Sequence, residues 1–212
     1  MRKTLSGLVS LTALVATPST TIADVAIDLD IVANSSSTFA ASAFDSNHGW
    51  QFTVNRSIIV THLGLLDVTS HVDLDPDGFA IAHDIGLFEA SGALLTSGTL
   101  SQGIVDPLID GFRYVAVPSV SLVPDKQYVV AFHTGTYLSS AELEYMILEN
   151  ASYSPHPVIE FGFARAGDGL SLGLPPNAFV NVDRFGPNFL FVPEPSALTL
   201  VCLGSVFLLR WR

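Results

Sequence analysis

The sequence predicts an all-β fold: a β-sandwich or jelly roll, mainly antiparallel, flanked by an N-terminal signal peptide and a short hydrophobic C-terminal helix. Three observations predict it. Short runs rich in Val, Ile, Leu, Phe and Tyr are divided by Pro, Gly, Asp and Ser, the punctuation of strands and turns. Several runs alternate apolar and polar residues, which lines one face of a strand. Hydrophobic residues make up 49% of the 212-residue chain, ample for a sandwich core.

The ends separate from the body. Arg2 and Lys3 precede the mostly apolar stretch Leu5–Ala16, and Thr21-Ile22-Ala23 is a small-x-Ala cleavage site. Residues 1–23 therefore read as a secretory signal peptide, cleaved by signal peptidase, with a mature chain from Asp24. One β-domain is expected over 24–191, and 192–212 form a separate tail. A single cysteine, Cys202, sits in that tail, so no internal disulfide is available.

Within the body, Val25, Ile27, Leu29 and Ile31 alternate with Asp28 and Asp30, as in a half-buried edge strand. Asn34–Thr38 reads as a Ser-rich loop. Gly49–Val54 puts Trp50, Phe52 and Val54 on one face. Ile58–Leu66 is apolar on both faces, hence central. His83–Ala90 and Ala93–Leu100 flank Ser91-Gly92, a hairpin turn. Ser101–Asp110 reads as a loop, and Pro118 divides strands at Gly111–Val117 and Val120–Leu122. Gln127–His133 aligns Tyr128, Val130 and Phe132. Ala141–Leu148 is expected to form a helical turn or two. Val158–Ala164 is the next strand, Gly167–Asn177 a loop, and Phe179–Val182 and Asn188–Val192 close the domain.

Charge narrows the function classes. Only 14% of residues are charged and the formal net charge is -11. Such a surface repels nucleic acid and anionic membranes. The acids cluster between two apolar strands, where Asp73, Asp75 and Asp77 occupy positions one, three and five of a calcium-type loop. Gly78 stands at six, the Phe79 carbonyl at seven and Asp84 at twelve. Several oxygen ligands in one turn suit a hard cation. The strand-like flanks, Pro76 and the short Asp84 depart from an EF-hand. The alternative is a solvated acidic turn.

Other chemistry is sparser. His62, His71, His83 and His133 have no HxH or HxxxH spacing for zinc. No glycine-rich phosphate loop occurs. Glu142, Glu144 and Glu160 are the carboxylates a glycosidase pair would draw on. By residue type, Trp50, Tyr114, Tyr137, Tyr145 and Tyr153 are candidates for a sugar-stacking platform.

The C-terminus carries the most specific pattern. Pro193-Glu194-Pro195 leads into thirteen largely apolar residues, Ala197–Leu209, and then Arg210 and Arg212. Thirteen helical residues span about 20 Å, short of a hydrocarbon core of about 30 Å. Arginines favour the cytoplasmic side, so the body lies outside the inner membrane. This tail resembles the PEP-CTERM sorting signal of Gram-negative bacteria, although Trp211 interrupts the basic end. The resemblance implies transient inner-membrane insertion, processing by an exosortase near Pro193, Glu194 and Pro195, and an association with exopolysaccharide and biofilm. It covers only the last twenty or so residues. GWQFTV, HDIGLFEASGALLTSGTL, GFRYV and LVPDKQYVV also resemble a recurrent β-sandwich domain of such proteins, which carries no activity to transfer. The expectation is a secreted, non-enzymatic protein of the cell envelope or extracellular matrix. The alternatives are a carbohydrate-binding module that attaches to exopolysaccharide or another surface component, and an envelope hydrolase.

Overall fold

The computed structural model describes residues 23–29, 38–39, 45–68, 76–135, 146–149, 152–180 and 184–194. The described chain is all-β, and no helix occurs among the described residues. Residues 1–22 and 195–212 lie outside them.

The first strands are β1 (Asp24–Val25), β2 (Ile27–Leu29), β3 (Thr38–Phe39), β4 (Ser46–Val54) and β5 (Ile58–Leu66). The middle of the chain forms β6 (His83–Glu89), β7 (Leu94–Leu100), β8 (Leu108–Ile109), β9 (Phe112–Leu122) and β10 (Gln127–His133). The last part supplies β11 (Ile147–Glu149), β12 (Tyr153–Pro155), β13 (Ile159–Asp168), β14 (Asn177–Phe179), β15 (Arg184–Phe185) and β16 (Pro187–Pro193). A five-stranded sheet runs β1-β16-β5-β9-β8, and a six-stranded sheet runs β14-β13-β4-β10-β6-β7. Two small sheets, β15-β11-β3 and β12-β2, complete the set. Neighbouring strands are antiparallel throughout.

Alternation explains the core. Trp50, Phe52 and Val54 of β4 are buried, as are Ile58, Val60, Leu63 and Leu65 of β5. The Trp50 ring stacks on Phe189 of β16 at 5.9 Å, and Phe52 meets the same ring at 5.0 Å. Side chains of the six-stranded sheet thus touch those of the five-stranded sheet. Trp50 Nε1 donates to the Pro187 carbonyl at 2.7 Å, so its one polar atom is satisfied inside. Each such aromatic contributes roughly 1.5–3 kcal/mol by burial. β5 is central in its sheet, as its two apolar faces predict.

Several expectations are corrected. The single N-terminal edge strand is two strands in two sheets. Ala26 hands the chain over: its N–H donates to Phe189 of the β16 side, and its carbonyl accepts from His156 N. At Ile27 the partner is a side chain. Buried Asn188 accepts from Ile27 N at 3.2 Å and donates to Ile27 O at 2.7 Å. Pro118 does not divide β9, because the register skips there: Ala116 faces His62 while Val120 faces Val60. The missing N–H of proline falls in a bulge, where no ladder bond is lost. The loop expected over Ser101–Asp110 contains β8, joined to β9 through Asp110 (φ 49°) and Gly111 (φ 80°). Both positions are left-handed, as a two-residue hairpin turn requires.

Thr38 belongs to β3 rather than to the Ser-rich loop. The helical turn expected to end at Leu148 is instead strand β11 at Ile147 and Leu148, both buried; residues 141–145 lie outside the described chain. The expected loop over Gly167–Asn177 is shorter, because β13 runs to Asp168 and β14 starts at Asn177. The strand expected at Phe179–Val182 ends at Phe179. The hairpin turn at Ser91-Gly92 stands, closed by Glu89 N to Ala93 O at 2.8 Å.

Candidate functional site

The acidic loop leaves β5 through Asp67 and returns to β6 at His83. Its base is built around a buried ion pair. Arg113 Nε of β9 donates to Asp67 Oδ2 at 2.6 Å, with both side chains almost wholly enclosed. Arg113 Nη1 also donates to the carbonyls of Ile104 (3.3 Å) and Asp106 (3.0 Å). Gly78 N donates to both Asp67 oxygens, at 3.2 and 3.1 Å. Gly78 has φ 91°, a left-handed conformation that glycine adopts without a Cβ penalty. Burial pushes the Asp67 carboxyl up, while the Arg113 guanidinium and the Gly78 N–H pull it back. The loop is therefore clamped shut at its neck.

Next to the neck, Phe79 and Gly103 exchange two backbone bonds, Gly103 N to Phe79 O at 2.7 Å and Phe79 N to Gly103 O at 3.3 Å. The Phe79 carbonyl expected at position seven therefore already accepts one hydrogen bond. Asp77 is exposed. Asp84 lies on β6, exposed, and its Oδ1 accepts from the Thr99 hydroxyl at 2.7 Å. Asp73 and Asp75 lie outside the described residues. Among the described residues, no group of three or more His, Cys, Asp or Glu is placed to hold a metal ion.

The histidines serve backbone and near neighbours. His83 Nδ1, fully buried, donates to the His133 carbonyl at 3.3 Å. His133 Nε2 donates to Gly169 O at 2.8 Å, and its Nδ1 accepts from Gly135 N at 3.2 Å. His62 Nδ1 lies 2.9 Å from the Thr61 hydroxyl. His71 lies outside the described residues.

Two aromatic candidates are corrected. Trp50 and Tyr114 are buried and present no stacking face to solvent. The alternation that makes them conspicuous in sequence turns them inward. Tyr114 packs against Gly64, where a Cβ would collide with its ring. Tyr153 is half-buried, its ring 4.4 Å from that of Phe185. Tyr137 and Tyr145 lie outside the described residues, as do Glu142 and Glu144. Glu160 is exposed on β13 and accepts from the Thr53 hydroxyl at 3.2 Å.

Sequence reasoning missed Asp67 and Arg113. The signal was present: one acid ends the most apolar strand, and one arginine interrupts Phe112-Arg113-Tyr114. It also missed His48 on β4. Burial, helped by Arg184 and opposed by Asp168, holds the His48 imidazole down at about 4. Its Nε2 lies 3.0 Å from the Ser46 hydroxyl, and its Nδ1 has no partner among the described residues.

In the Pro-Glu-Pro tripeptide, Pro193 is the last residue of β16, opposite Ile58, and Glu194 N donates to Ser57 O at 3.3 Å. Pro195 lies outside the described residues. At the other end, Asp24 stands opposite Phe191 in the β1–β16 pair. Asp24 and Pro193 therefore lie at the same end of one sheet. No protein-family model matches the chain, and no curated protein matches it.

Proposed function

We propose that the protein is a secreted, non-enzymatic β-sandwich of the cell envelope or extracellular matrix, sorted through a PEP-CTERM-type route. The observation that carries this reading is the tail: Pro193-Glu194-Pro195, thirteen apolar residues and terminal arginines. The geometry of the body is compatible with it. β16 ends at Pro193, so the motif begins on the last strand residue, and Asp24 pairs with Phe191 two residues before it. Both proposed processing points then lie at the same end of one sheet. The contacts of Trp50 and Phe52 with Phe189 support two sheets facing one another. In this reading a calcium ion held by Asp73, Asp75, Asp77, the Phe79 carbonyl and Asp84 braces the acidic loop and takes no part in catalysis.

Fractionation of producing cells tests the proposal, with antibodies to the body and mass spectrometry of both ends. The expected result is a body outside the inner membrane that starts at Asp24 and ends near the Pro193 motif. A cytoplasmic protein with Met1–Ala23 intact would overturn it.

A further inference from the structure

We infer that the face of the six-stranded sheet turned away from Trp50 carries a binding groove for a neutral saccharide chain, formed by Gln51, Thr53, Gln127, Glu160 and Phe163. The inference does not depend on how the protein is sorted.

Register assembles the groove. Thr53 of β4 lies opposite Gln127 of β10 and Glu160 of β13, so the three form one row across adjacent strands. Gln51 lies opposite Phe163 in the next row. Alternation alone would send Phe163 to the same side as Phe161, whose ring lies 5.0 Å from Phe185 in the interior. A bulge between Phe161 and Phe163 changes that parity. Gly162 is the extra residue, and a Cβ there would press on the Gln51 carbonyl at 3.1 Å. The bulge re-aims Phe163 onto the face of Gln51 and Arg165, whose guanidinium lies 5.9 Å from the Phe163 ring centre.

The polar groups are preset. Arg165 donates to the Pro175 carbonyl at 2.7 Å and to Gln51 Oε1 at 2.8 Å. That fixes the Gln51 amide at the floor of the groove, its side chain almost wholly buried and its NH₂ the remaining donor. Thr53 donates to Glu160 Oε2, which leaves the hydroxyl lone pairs and Glu160 Oε1 as acceptors. Gln127 is exposed and offers both. Donors and acceptors beside a half-exposed aromatic ring match a sugar, whose hydroxyls do both and whose C–H face is apolar.

Charge and shape restrict the ligand further. The cations here are engaged: Arg165 as above, and Lys126 with Glu89 at 2.8 Å. The unneutralised Glu160 disfavours an anionic glycan. Two open depressions of about 200 and 460 Å³ share Thr53 and Gln127, and the second continues towards Ser91 and Lys126. The other side is covered by the segment 169–176. Its Leu172 and Leu174 pack on Phe88, Val129 and Ala131, and Asn47 pins it at Ser171 O and Gly173 N. An open channel of this kind suits a chain passing through, not an enclosed monosaccharide.

The test uses the ¹⁵N-labelled full-length chain in detergent micelles, titrated with cellohexaose, maltohexaose, mannohexaose and, as the anionic comparison, hexagalacturonate. At least one neutral hexasaccharide should shift the amides around Gln51, Thr53, Gln127 and Phe163, with a dissociation constant of about 1 mM. Gln127→Ala and Phe163→Ala should each weaken binding about tenfold. Gln127 is exposed, so its variant keeps the test sharp even where Phe163→Ala fails to fold. No shifts with any neutral hexasaccharide, shifts confined to another face, preference for hexagalacturonate, or undiminished binding by Gln127→Ala would each overturn the inference.

Discussion

The Asn188 carboxamide completes the backbone hydrogen bonding of Ile27 from 161 residues away. Its Oδ1 accepts from both Ile27 N and Phe189 N, and its Nδ2 donates to Ile27 O. Asn188→Ala should strand two buried donors and an acceptor and cost roughly 2–4 kcal/mol. Asn188→Asp, which keeps the shape but loses the donor, should also destabilise the fold. Urea unfolding of the three proteins measures this. A loss of under about 0.5 kcal/mol for the alanine variant, the scale of a neutral surface change, would mean that the carboxamide does not hold the seam.

The Asp67–Arg113 pair gives a second prediction. Arg113→Met leaves the buried carboxylate with only the Gly78 N–H and should cost about 3–5 kcal/mol. The double variant Asp67→Leu/Arg113→Met leaves no lone charge, so its loss should be smaller than the sum of the single losses. A double-mutant cycle reads the coupling. Additive losses would show that the two side chains act independently.

His48 links stability to acid. Its folded pKa of about 4 lies below the ordinary imidazole value of 6.5, so the fold favours neutral imidazole. The stability it contributes is complete above pH 6.5 and falls as the pH drops towards 4, because the unfolded chain takes the proton first. Over that window the loss should be about 2–3 kcal/mol. His48→Gln should flatten that part of the stability profile. Identical pH dependence in variant and parent between pH 4 and 6.5 would remove His48 as the cause.

Calcium should raise the melting temperature if the Asp73–Asp84 loop coordinates it. Binding of the extracellular type, with a dissociation constant of about 0.1–1 mM, would stabilise the folded loop by mass action. Asp75→Asn should remove more of the gain than Asp45→Asn, and high sodium chloride should not replace calcium. Melting curves in EDTA, magnesium and calcium decide it. Equal midpoints in all three would leave a solvated acidic turn.

Much of the fold was legible because burial imposes a period. The two-sided apolar run at Ile58–Leu66 marked a central strand, and Ser91-Gly92 marked a hairpin. Asp110-Gly111 was an equally good turn signal, but the short Leu108–Ile109 beside it does not alternate. Ala141–Leu148 has helix-forming residues, yet Ile147 and Leu148 are buried in strand β11 between β15 and β3. Site residues were harder to read. A regular alternation cannot announce the bulge that turns Phe163 outward. The inward turn of Trp50 and Tyr114, by contrast, follows from their alternating positions, and residue type alone misled. Asp67 and Arg113 are 46 residues apart, and only the β5–β9 register brings them together.

The seam between the first strands and β16 also sets a timetable for folding. β16 lies between β1 and β5 and supplies the Phe189 ring on which Trp50 stacks. Until it arrives, β5 has an open edge, Ile27 lacks its side-chain partner and the aromatic interior is incomplete. Contacts this distant form slowly, because a long loop must close before any of them stabilises the chain. A chain delivered from its N-terminus therefore waits, with a sticky strand edge exposed, for almost the last residues of its body. During that interval the open edge is a template for pairing with other chains, a hazard that the finished fold no longer carries.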